Sequence, residues 1–342
     1  MMINRNLHIE PRIKSGAYPR HKEAGMAKLY YFYGRREETT IRDTEPNQAP
    51  ILIQPHGAII VVKEPALTIL QVSANTEPHF GFAPEELLGQ PLSMLMSESE
   101  IERLRGQRLS RNPQSTTHYL EAARIGKDNK VFELLLHRFQ GLLILECERK
   151  PDDAIPQQEL CPAVNNAIAR MQRAESVRDV CQNAADEMRR LTGFDRVMVY
   201  KFKGDDSGEV IAESLGGDFE SYLGLRIANC KLRSGNQGLR VVVDVDGQPS
   251  PLAPPGDGAP PDLRRAVTRN LSPTHIKHLT HLGVKASMFV PITQDDRLWG
   301  LIALHHHRGP KYVPHNTRMA CECMARFLSL QTALKESVDN RK

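Results

Sequence analysis

No apolar run in this 342-residue chain approaches the ~18 residues that a membrane-spanning helix needs. Ala58–Val62 and Leu142–Leu145 are among the longest apolar stretches, and both are strand-sized. Cysteine is sparse, with six in the chain, too few and too scattered for a disulfide scaffold. Cys147, Cys161, Cys181 and Cys230 are isolated, and Cys321 and Cys323 form a C-x-C that lacks the spacing of a zinc knuckle. Near the N-terminus no apolar core precedes a small-residue cleavage site, so a reducing, cytoplasmic compartment is expected. No Gly-rich phosphate loop, Gly-x-Ser-x-Gly or kinase-type box occurs, so the chain is not expected to be an enzyme. Excess charge of one sign is also missing from most of the chain. Residues 1–40 hold eight Lys/Arg against four Glu, and the rest carries 37 of each sign. A neutral body argues against a nucleic-acid binder, which would show a basic face.

The length suggests roughly two domains of about 150 residues. Residues 1–41 read as a basic N-terminal extension, either a flexible tail or an arm that docks on a partner. Residues 42–148 carry β-branched runs (Ile51–Ile53, Ala58–Val62, Leu67–Asn75), short helical pieces, then alternating strand patterns around Thr117–Ala123, Val131–His137 and Leu142–Glu146. Residues 149–158 hold two prolines and clustered charge and read as a linker. Residues 159–336 open with one long helical pattern ended by Gly193. Strands follow at Arg196–Phe202, Gly208–Ser214, Val241–Val245, Ala286–Val290 and Leu298–Leu304, with helices at Thr274–Leu282 and Asn316–Glu336. Between them, Gln248–Asp262 contains six prolines and two glycines, a loop of the long kind that often carries function. Residues 337–342 form a tail. Strand-rich stretches alternating with helices make both domains α+β, with antiparallel sheets flanked by helices.

The phrases Phe194-Asp195-Arg196-Val197-Met198-Val199-Tyr200, Gly208–Ser214, Glu220–Leu225, Ser272-Pro273-Thr274-His275 and Arg297–Ala303 occur in order along the second domain. Together they resemble the GAF domain of bacteriophytochromes. Ile53-Gln54-Pro55-His56-Gly57-Ala58-Ile59 resembles the same family's PAS domain. The resemblance implies a PAS domain followed by a GAF domain, with a figure-of-eight knot in which the Pro-rich loop is the lasso. It also implies a pocket for a linear tetrapyrrole, biliverdin or a related bilin. In that pocket Arg269, Ser272 and Ser287 match propionate-side residues, and His275 matches a histidine packed on the bilin. Tyr200 and Tyr222 match pocket aromatics, and His305 matches the histidine near the last ring. Tyr200 and Tyr222 serve equally well as ordinary core, and Arg269 as a partner for Asp244 or Asp246.

The resemblance is incomplete where covalent chemistry is concerned. In bacterial members the attachment cysteine lies twelve residues before the Gln of Gln-Pro-His-Gly. Here that position is Arg42, followed by Asp43-Thr44-Glu45-Pro46. In plant and cyanobacterial members a cysteine precedes the pocket histidine, and here that position is Thr274. A guanidinium is permanently protonated and a lone hydroxyl is a poor nucleophile. The Pro-x-Ser-Asp-Ile-Pro stretch expected after Leu225 is replaced by Arg226–Gln237, which holds no acid.

These losses lead to the expectation of a sensory module without a bilin cofactor, responding to something other than light. Cys230, beside Lys231 and Arg233, and Cys321 and Cys323 on the last helix are the candidate redox thiols. The alternative is a photoreceptor that holds biliverdin non-covalently. His275, His278 and His281 recur every third residue and, with His305, could face one ion, but no carboxylate or thiolate pattern supports a metal. The family implies a homodimer through the GAF helices, and an output histidine kinase with its response regulator in a full-length protein.

Overall fold

β-branched runs form the strands and amphipathic runs the helices of a computed structural model. It describes residues 51–106, 118–149, 157–203, 207–227, 238–254, 261–263, 265–295 and 297–339. The first domain opens with β1 (Leu52–Ile53), β2 (Gly57–Lys63) and β3 (Thr68–Ser73). Three short helices follow: α1 (Thr76–Phe80), α2 (Pro84–Leu87) and α3 (Glu98–Gly106). β4 (His118–Ile125), β5 (Lys130–Phe139) and β6 (Leu142–Arg149) complete it. Gly126, in the β4–β5 turn, has φ +84°, and a Cβ there would sit 2.5 Å from the Phe80 carbonyl oxygen, so only glycine fits.

The second domain begins with α4 (Gln157–Arg173) and α5 (Val177–Thr192), where the sequence pattern suggested one continuous helix. The break has a local cause. Ser176 is extended and its hydroxyl accepts the Asp179 N–H at 3.2 Å, while Asp179 accepts the Ser176 N–H at 3.1 Å. That reciprocal cap starts a new helix, and Gly193 ends it in the left-handed conformation. Then come β7 (Arg196–Phe202), β8 (Gly208–Leu215), β9 (Arg226–Ile227), β10 (Arg240–Val242), β11 (Ser250–Ala253), α6 (Pro273–His281), β12 (Ala286–Gln294), β13 (Arg297–His306) and α7 (His315–Asp339).

Two antiparallel sheets result. One runs β1-β11-β3-β2-β6-β5-β4 and the other β10-β12-β13-β7-β8-β9. The first contains a strand from the second domain. β11, read from sequence as part of a loop, lies between β1 (Leu52 opposite Pro251) and β3 (Leu252 opposite Ser73). The fold is therefore the expected pair of α+β domains, stitched together through one shared sheet. The segments that would complete the implied knot lie partly outside the described residues.

The apolar run of β2 is buried on both faces. Ala58, Ile60 and Val62 pack under the short helices of the first domain, and Ile59 and Val61 pack against Ile53, Ile144, Leu263 and Ala266. In the second domain α4, α5 and α7 cover one face of the sheet, burying Met171, Val180, Met188, Val197, Val199, Met288, Leu304, Met324 and Leu328. The alternation of β7, β12 and β13 leaves the opposite face for another use.

Candidate functional site

The strand register aligns the side chains of that opposite face in rows. Ser287 on β12 lies across from His305 on β13 and from Val242 on β10, and His305 lies across from Arg196 on β7. In the next row Phe289 lies across from Ala303 and Arg240, and Ala303 from Met198. Met198, Val210 and Ala303 form a small apolar floor, with Tyr200, Tyr222, Leu225 and Phe289 half-buried around it. Beside it Val242, Val245, Leu279 and Val284 form a second patch under α6, and Phe289 borders both.

The residues that the resemblance assigned to a bilin pocket are placed as follows. Tyr200 is half-buried, with its hydroxyl donating to the Met198 sulfur at 3.4 Å. Ser272 caps α6, its Oγ accepting the His275 N–H at 3.4 Å. Thr274 occupies the first turn of that helix and is half-buried. The His275 ring stands edge-on to Phe289 at 5.1 Å and to His278 at 6.5 Å, and His305 stands edge-on to Phe289 at 6.2 Å. Ser287 is fully buried and donates to the Leu304 carbonyl at 3.0 Å. Arg269 bridges Ile53 of the first domain through its backbone. Arg42 and Cys230 lie outside the described residues.

Two residues that the sequence reading missed organise the site. Phe289 links the two expected pocket histidines, and its position two residues after Ser287 on one strand face was its only signal. Arg196 is 2% exposed. It donates to Glu213 at 2.5 Å and to the Glu220 carbonyl at 2.6 Å, and its guanidinium lies 3.7 Å from the Tyr222 ring centre. Glu213 in turn accepts from the Ser221 hydroxyl at 2.5 Å and from the Tyr222 N–H at 2.9 Å. A buried ion pair thus holds the loop that carries Tyr222.

Burial sets the charge state of the face. It lowers the His305 pKa well below the usual imidazole value, helped by His307 and Arg196. Burial also lowers His278 to about 4, with His275 and His281 adding to the effect. Burial thus holds His305 and His278 neutral, beside the aromatic rings of Phe289, Tyr200 and Tyr222. Among the described residues no group of three or more His, Cys, Asp or Glu could hold a metal ion.

The redox thiols fare differently. Cys321 is fully buried in the helix-covered core, and burial pushes its thiol up to about 12. Cys323 is exposed on the other side of α7.

Residues 42–150 match the PAS fold model and residues 176–331 the GAF domain model. Cyanobacterial phytochrome B of Nostoc sp. is 38% identical over 307 residues, which is 86% of this chain and 41% of that protein. The chain belongs to the phytochrome family. The bacteriophytochrome of Pseudomonas aeruginosa is 33% identical over 84% of this chain and 40% of its own length. The chain thus spans about two-fifths of the length of these phytochromes. Among solved structures, the chromophore-binding domain of an unusual bacteriophytochrome from R. palustris superposes with a TM-score of 0.77 at 34% identity, covering 86% of this chain and 99% of that one. The chromophore-binding domain of Stigmatella aurantiaca phytochrome P1 gives 0.73 at 34% identity, covering 83% and 98%.

These matches overturn the expectation of a chain without a cofactor. The face described above occupies the second domain of a fold whose solved relatives are chromophore-binding domains of phytochromes, which points to a bilin.

Proposed function

We propose that this chain is the bilin-binding part of a photosensory protein, and that it holds the pigment without a covalent bond at either position the family uses. The observation that carries this reading is the wall of rings formed by Tyr200, Tyr222, His275, Phe289 and His305 on one sheet face of a phytochrome-family fold. A conjugated group gains from aromatic and imidazole surfaces that bury its apolar faces. Arg269 supplies the cation for a propionate, and Ser272 and His275 follow it along the chain at the start of α6. Ser287, committed to Leu304 as a donor, retains lone pairs and acts on the pocket only as an acceptor. The bound bilin supplies absorption of light and isomerisation of a double bond; the protein's residues orient it and exclude water.

Arg42 and Thr274 support non-covalent holding, because neither offers a thiol. Signal output belongs to parts of the protein beyond this chain, in a kinase and its response regulator. A homodimer through α7 accounts for its exposed Leu330, Leu334 and Val338, which recur every fourth residue. Among the described residues no helix is long and apolar enough to cross a membrane, and the reading places the protein in the cytoplasm. The test is the absorption spectrum after biliverdin is added to the purified chain. A narrowed, red-shifted band that converts reversibly under light supports the reading, and a broad free-pigment spectrum refutes it.

A further inference from the structure

The motif Gln54-Pro55-His56-Gly57 marks the first domain in sequence, yet the function proposed above gives it no task. Its contacts supply one. Gln54 is 1% exposed. Its side-chain Nε2 donates to the Val241 carbonyl at 2.7 Å and lies 3.2 Å and 3.3 Å from the carbonyls of Val267 and Arg269. Its Oε1 accepts the Val243 N–H at 3.1 Å. Three carbonyls around the nitrogen and one N–H at the oxygen call for an amide, because a carboxylate there would face carbonyls without a proton to share.

The main chain makes the same grip. Gln54 N–H donates to the Thr268 carbonyl at 2.8 Å, and Asn270 N–H donates to the Leu52 carbonyl at 2.8 Å. From the other side, Thr268 donates its N–H at 2.8 Å and its hydroxyl at 2.7 Å to Glu146 on β6, whose other oxygen meets His137. A Cβ on Gly57 would fall 2.7 Å from the Thr268 methyl, so the glycine permits this approach. Thr268 turns its side chain to Glu146, and Arg269, next along the chain, is held by its own backbone bridge to Ile53. Two residues after Asn270, Ser272 caps α6 and fixes His275.

We infer that Gln54 and Glu146 are positioning residues, through which the first domain sets the place of Arg269, Ser272 and His275 in the second domain's pocket. The inference rests on the bilin-binding reading for its pigment, but its mechanical part stands on the protein alone. A rigid Val267–Asn270 segment presents the Arg269 cation and the α6 N-terminus at one fixed distance from the ring wall. Freed from Gln54, the same segment has to be ordered by the pigment itself, which weakens binding.

The experiment compares wild type with Gln54→Met, which keeps the shape and removes the amide. In the pigment-free protein, hydrogen exchange at Asn270, His275 and Ile276, none of whose amides bonds to the Gln54 side chain, should accelerate about tenfold, while β7 and β13 amides stay unchanged. Biliverdin should bind about tenfold more weakly. Biliverdin dimethyl ester, which has no carboxylate for Arg269, should change by less than about twofold. Acceleration confined to Val243, or equal loss for the acid and the ester, overturns the inference. If wild type takes up no biliverdin, the functional reading fails while the exchange at Asn270–Ile276 still decides the positioning role. If Gln54→Met does not fold, Thr268→Val, which removes one bond to Glu146, serves instead. It should show the same pattern at about threefold, and an unchanged exchange pattern overturns the inference.

Discussion

Arg318 on α7 closes both ends of its guanidinium onto the Glu148 carboxylate of β6, joining the two domains through a buried ion pair. His56 bonds the same carboxylate at 3.1 Å. Glu133 lies directly across from Glu148 on β5, and accepts from the Tyr119 hydroxyl at 2.9 Å and the Tyr312 hydroxyl at 3.3 Å. Arg318→Met therefore leaves Glu148 buried without its main partner, and should cost about 3–5 kcal/mol in chemical denaturation. Arg318→Met combined with Glu148→Met removes both charges and should recover most of that loss. A double variant as unstable as the single one would show that the pair does not bear on stability as described.

Stability should fall steadily in acid. Burial opposes the charge of Glu148, but Arg318 and His56 outweigh it and hold its pKa well below the usual carboxylate range. That stabilisation is present above the unfolded carboxylate pKa and is lost as pH falls toward the folded one. Burial, with Arg318, lowers His315 to about 4, and burial lowers His278 to about 4, each from 6.5. A depressed histidine favours the fold above 6.5, and that contribution is lost as pH falls through the window down to about 4. His315 stacks on Tyr119 at 4.1 Å, so His315→Phe keeps the ring and removes the titration. Melting temperatures at about pH 7 and about pH 4.5 should differ less in that variant than in wild type.

Arg196 supports the pocket in a way lysine cannot reproduce. Its planar guanidinium serves Glu213, the Glu220 carbonyl and the Tyr222 ring together. Arg196→Met strands Glu213, whose side chain is 2% exposed, and should cost about 3–5 kcal/mol. Arg196→Lys keeps the charge but loses the flat face, and should cost about 1–2 kcal/mol while weakening bilin uptake. Equal stability of the lysine variant and wild type would contradict this role for the ring contact.

A thiol at position 42 should restore a covalent bond. Arg42→Cys, incubated with biliverdin and then denatured, should keep its pigment on a denaturing gel while wild type loses it. Pigment retained by wild type would show that another nucleophile of this chain attaches the bilin.

The strands of both domains were legible because each is a short apolar run, and the run in β2 is continuous because both its faces are covered. β11 was not legible. Its residues Ser250–Ala253 carry a proline at 251, and they become a strand only by pairing with β1 and β3, some 180 to 200 residues away in sequence. The split between α4 and α5 was missed because the apolar spacing continues across Ser176, whose cap outweighs it locally. On the sheet face proposed for the bilin, the resemblance singled out Tyr200, Tyr222, His275 and His305 but not Phe289 and Arg196, which only the register brings beside them. Two absent thiols suggested an absent cofactor. The match to phytochrome chromophore-binding domains overturns that expectation.

The most direct test is to add biliverdin to the purified chain in the dark, record the spectrum, illuminate with red and then far-red light, and denature. This account predicts a sharp red-shifted band, reversible photoconversion, and release of all pigment on denaturation. A broad spectrum identical to free biliverdin, unchanged by light, would contradict it.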